Sequence, residues 1–173
     1  MQESFINTIS IQAKQVFRNI QSVFDYVDDD ILSAGLCKWP LWRQLFHMLH
    51  SMDQWFISPF EYEDGWENGH QINALNTEID MPAISRKELL SFFLRVEAKV
   101  EDYLTGLTDS DLFETPTECR FTRFELILGQ FRHINFHIGM IHGCILMKNG
   151  EIPDYFGISN PVEPLGNGRN SNH

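Results

Sequence analysis

Apolar residues recur every third or fourth position through four long stretches of this chain, and no stretch alternates apolar with polar long enough for a strand. That period lines one face of a helix with apolar side chains, so an all-α fold is expected. The first stretch runs from about Phe5 to Val27, with Phe5, Ile9, Ala13, Val16, Ile20, Val23 and Val27 on one side and Lys14, Arg18, Gln21 and Asp25 on the other. Asp28-Asp29-Asp30 then falls at the helix C-terminus, where the macrodipole disfavours anions, so the helix should end there. A second helix is expected from Pro40 to about Trp55, proline suiting the first turn. The third starts at Ser85, with Glu88 three residues on to complete a capping box and Leu89, Leu90, Phe93, Val96 and Val100 on one face. It ends near Gly106, and Thr108-Asp109-Ser110-Asp111 reads as a cap opening a single turn around Leu112. The fourth begins at Thr122 or Arg123, passes Phe124, Leu128 and Phe131, and stops at Asn149-Gly150.

Between the second and third helices, residues from about Glu61 to Ala83 hold Gly65, Gly69, Pro82 and many polar groups without a period. A connection that long in a small domain is usually a crossover, a lid or a binding loop. Its Trp66 is expected to pack onto the helices. The whole reads as one domain over residues 1–160, an all-α four-helix bundle with a long crossover between helices two and three. Residues 161–173 form a tail whose last part, Gly166 to His173, has the composition of a disordered segment.

With 13 Lys and Arg against 24 Asp and Glu, the net charge is −11. Nucleic acid needs clustered basic side chains, so it is excluded as the main partner, and anionic membrane surfaces with it. Nothing approaches the apolar length of a membrane span. Cys37, Cys119 and Cys144 are odd in number and contain no Cys-x-x-Cys pair, which argues against disulfides and thiolate zinc sites and for a reducing, cytoplasmic setting.

Seven histidines stand out at this length. His133 and His137 are four residues apart, so on a helix both leave the same face with Cβ atoms about 5–6 Å apart, close enough to share one divalent ion. Their stripe, through Leu126, Gln130, Met140 or Ile141, and Cys144, is largely apolar and should face the core. An imidazole pair there is costly without a partner. His142 lies about 140° further around and is expected to be unrelated. A third ligand has to come from another helix, and the second offers His47 and His50. His47 shares a polar stripe with Arg43, Gln44, Ser51 and Gln54; His50 lies between Phe46 and Asp53, whose carboxylate could orient an imidazole. Periodicity leaves that choice open.

Other motifs carry less. Glu67-x-x-His70 matches the text of a di-iron bundle motif, but a single copy in a glycine-rich loop does not build one. Hydrolase, Walker and dinucleotide motifs are absent. Cys144 reads as a small core residue rather than a nucleophile. The aromatic residues Trp39, Trp42, Phe46, Trp55 and Phe56 should build the core and could offer a homodimer surface.

Trp39-Pro40-Leu41-Trp42-Arg43-Gln44-Leu45-Phe46-His47 resembles the Trp-x7-His opening of the second helix in the DinB/YfiT-like metalloprotein superfamily. Arg132-His133-Ile134-Asn135-Phe136-His137, with a helix end at Asn149-Gly150 and then Ile152-Pro153-Asp154-Tyr155, resembles that family's last helix and its exit. The likeness departs just after His137, at Ile138-Gly139-Met140-Ile141-His142. By this resemblance the metal ligands would be His47, His133 and His137, holding one Zn²⁺ or Ni²⁺ ion with an open coordination position. It implies a metal-dependent hydrolase or thiol transferase acting on a small molecule, with His50 and Asp53 as candidates for proton handling. The alternative is a non-catalytic helical interaction or stress protein whose metal is structural or absent.

Overall fold

The computed structural model describes residues 4–35, 39–60, 74–76 and 81–160. Among them the fold is all helical: α1 (Phe5–Tyr26), α2 (Asp29–Ser33), α3 (Leu41–Trp55), α4 (Arg86–Gly106) and α5 (Arg123–Asn149), with a 3₁₀ turn at Asp111–Phe113. Cys37, Trp66, the Glu67–His70 motif and the 161–173 tail lie outside the described residues.

Local chemistry explains where the helices start. Ser4 Oγ accepts from the Asn7 N–H at 3.1 Å, and the Asp109 carboxylate takes the Phe5 and Ile6 N–H groups, so two side chains satisfy the donors that α1 cannot pair internally. Ser85 with Glu88, and Thr122 with Glu125, form reciprocal capping boxes on α4 and α5. At the far end of α5, Gly150 adopts φ +77°, the left-handed conformation that closes a helix and that glycine enters at least cost. Thr108 donates to Asp111, and Leu112 in the turn that follows is fully buried.

The aspartate run marks the end of α1, as expected, and also opens a short helix that was not foreseen. α1 ends at Val27, and Asp28 Oδ1 accepts from the Ile31 N–H at 2.7 Å as the cap of α2, with Asp29 and Asp30 in its first turn. The three acids therefore sit at the positive pole of a second helix, where they are favourable. The negative pole of α1 is met instead by Arg86, whose guanidinium donates to the Phe24 and Val27 carbonyls. The same residue's backbone N–H reaches Asp29, so one arginine ties the end of α1 to the start of α4.

Two contacts reveal the relative direction of α3 and α4. Phe46 packs on Phe92 and Asp53 pairs with Lys99, a constant offset along both helices, so the two run parallel. Parallel neighbours cannot be joined by a short turn, and this is the physical reason for the long connection after α3. α3 runs antiparallel to α5: His47 lies against His133 and His137, while Ser51, further on, donates to Gln130, further back. α1 packs on both α4 and α5.

The predicted apolar faces are buried with few exceptions. Ile9, Ala13, Val16, Ile20, Val23 and Val27 are buried, whereas Phe5 is 60 % exposed at the end of its helix. On α4, Phe92 and Leu104 join the expected Leu89, Phe93, Val96 and Val100. On α5, Leu128 is exposed, Phe124 and Phe131 are half-buried, and Ile127, Ile134, Ile138, Ile141 and Ile145 carry the core. α5 is apolar on nearly every side, so it buries these isoleucines as well as much of the histidine stripe expected to face the core. The aromatic face of α3 is largely spent on the interior, with Trp42, Phe46 and Phe56 buried and Trp55 38 % exposed. Cys119 is a free thiol, but Cys144 is disulfide-bonded. That corrects the expectation of no disulfide. No described helix is long and apolar enough to cross a membrane.

Candidate metal centre

The antiparallel pairing of α3 with α5 brings the central histidine of one against the histidine pair of the other. Ring centroids are 5.3 Å apart for His47 and His133, 4.9 Å for His47 and His137, and 4.6 Å for His133 and His137. One ring nitrogen from each of the three lies within 4.8 Å of the other two. The Nε2 atoms of His133 and His137 approach to 3.0 Å. Two nitrogens each ~2.1 Å from a common ion stand ~3.0 Å apart at a right angle and ~3.4 Å apart at the tetrahedral angle, so this spacing suits shared coordination.

Burial sets the charge state. His137 is buried, while His47 and His133 are half-buried. Desolvation, then the charge of His133 and of His50, lowers the His47 pKa to about 4. Desolvation, then His133 and His47, brings His137 to about 4 as well, and burial alone lowers His133. Neutral imidazoles carry the free lone pair that a metal needs, so the set is ready to coordinate at neutral pH. Three nitrogens without a thiolate suit a borderline divalent ion.

The folded protein binds fewer protons at His47 and His137 than the unfolded chain does between their ordinary 6.5 and about 4. Stability of the metal-free protein is therefore intact above pH 6.5 and falls as the pH drops through that window. Urea midpoints across the range should show this slope, and His47→Gln/His137→Gln should flatten it. A slope unchanged in that variant contradicts the assignment.

Each candidate from the sequence now has a place. His47, His133 and His137 come together; His50 is not in the group but stacks on Phe46, with centroids 5.6 Å apart. Asp53 is buried and its carboxylate accepts from Lys99 Nζ at 2.7 Å. His142 is buried and outside the group, as its angle implied. Leu126, Gln130, Ile141 and Cys144 are buried along the stripe drawn from sequence. Two features were missed. Lys99 was not singled out, since a lysine on a helix has no distinguishing local signal. Gln44, one turn before His47, is fully buried, although its polar neighbours had left solvent or a wet pocket equally open.

The chain has no match among protein-family models, curated proteins or solved structures. The functional reading therefore rests on these residues.

Proposed function

We propose that the chain is a DinB-like four-helix bundle binding one divalent ion, Zn²⁺ or Ni²⁺, through His47, His133 and His137, and acting as a metal-dependent hydrolase or thiol transferase on a small molecule. The observation that carries this is the convergence of three ring nitrogens from two helices, two of them 3.0 Å apart, in a partly desolvated setting. Bound there, the ion would supply Lewis acidity and activate a water or thiol near neutral pH. Three protein ligands leave room for an exogenous group, as catalytic sites require. The chain itself holds the imidazoles neutral and excludes water from much of their surface. His50 and Asp53 are the candidates for proton handling, the first stacked on Phe46 and the second held by Lys99.

The test is elemental analysis of protein grown with zinc and nickel, beside His133→Ala/His137→Ala. Stoichiometric metal in the parent and none in the variant is expected; little metal in both would remove the proposal. A second reading, association without catalysis, draws on the outer side of α5, where Phe136 is 63 % and Met147 81 % exposed. Under it, metal removal would leave function unchanged, while Phe136→Ser/Met147→Ser would abolish self-association or partner binding.

A further inference from the structure

Buried polar groups are normally paired, because an unmet donor or acceptor keeps its full desolvation cost. Gln44 on α3 and His133 and His137 on α5 break this rule. Gln44 is 0 % exposed, and neither its Oε1 nor its Nε2 has a hydrogen-bond partner among the described residues. The Nδ1 atoms of His133 and His137 are likewise buried without one.

Register brings Gln44 to one of them. Gln44, His47 and Ser51 are spaced three and four apart on α3 and share a face. His47 and Ser51 both meet α5, the first between His133 and His137 and the second at Gln130. The helices are antiparallel, so stepping back three residues from His47 moves the same distance forward on α5. Gln44 thereby comes level with His137 and Ile138, within about one ~1.5 Å residue step along the axis.

The two orphans are chemically complementary. The Nε2 atoms of His137 and His133 face each other at 3.0 Å, and when Nε2 of His137 gives its lone pair to a metal its proton belongs on Nδ1, which needs an acceptor. A glutamine Oε1 is such an acceptor. Histidine ligands generally donate their second N–H in this way, which fixes tautomer and ring angle. We infer that Gln44 is the positioning residue for His137: its Oε1 takes the Nδ1–H when Nε2 coordinates a metal. This inference rests on the proposed metal site. It also couples the two events, since metal binding satisfies a donor and an acceptor that the metal-free fold leaves unmet.

The experiment titrates the metal-free protein, Gln44→Met and Gln44→Leu with Zn²⁺ alone against a chromophoric chelator, and records thermal midpoints of the metal-free forms. Metal affinity is expected to fall ~10–100-fold in both variants. Their metal-free midpoints should hold or rise, because a buried unpaired amide has been removed. In the zinc-loaded parent the His137 Nδ1–H resonance should be observed and protected from exchange, and in Gln44→Met it should be lost. Unchanged affinity, or a drop in midpoint that accounts for the lost affinity, overturns the role of Gln44 while leaving the site standing. Failure of the parent itself to take up zinc overturns both, and is read in the same titration.

Discussion

Adding Zn²⁺ or Ni²⁺ to the metal-free protein is expected to raise its thermal midpoint, and His133→Ala/His137→Ala should abolish the response. A ligand that binds only the folded state stabilises it by mass action, about 2.7 kcal/mol at a concentration 100 times its Kd. For a chain of this size each kcal/mol is worth roughly 2–4 °C, so the rise should be about 5–10 °C. His47→Ala sharpens the test. It leaves the His133–His137 pair intact on α5, so a response retained in full would mean that the helix pair alone holds the ion. Loss of most of the rise shows that the α3 ligand takes part, which only the tertiary fold can provide. Equal rises in parent and double variant would remove the metal centre.

The second large effect is in the core. Phe93 is fully buried, stacked on Phe24 at 5.6 Å and tilted against Phe17 at 6.3 Å, and so joins α4 to α1. Phe93→Ala removes those contacts and leaves a cavity, with an expected loss of about 3–5 kcal/mol. The thermal midpoint should drop by roughly 10 °C. Metal affinity of the folded fraction should not change, because the ring packs on α1 while the histidines belong to α3 and α5. Urea unfolding gives the first quantity and chelator competition the second. A loss under ~1 kcal/mol would contradict the packing described.

Several features were legible because their causes are local. Ser85 with Glu88 marked the start of α4, Thr122 that of α5, and Gly150 the end of α5, since a cap is made by residues a few positions apart. His133 and His137 were readable as a pair for the same reason, four residues being one helical turn. Asp28–Asp30 marked the end of α1 but not the start of α2, because a helix of five residues is too short to show a period.

His47 against His50 shows where local information ends. The two are three residues apart on one helix, each beside polar and apolar neighbours, and nothing in their spacing prefers either. The preference arises from how α3 is rotated and set against α5, and that depends on Phe46 meeting Phe92, Asp53 meeting Lys99 and Ser51 meeting Gln130. The amino-acid order alone determined helix content, most helix ends and the two-histidine face, all properties of a few neighbouring residues. Which third imidazole joins them, and that Gln44 is sealed in the interior rather than left in solvent, was decided only by long-range packing, because those surroundings exist only once separate helices have been assembled.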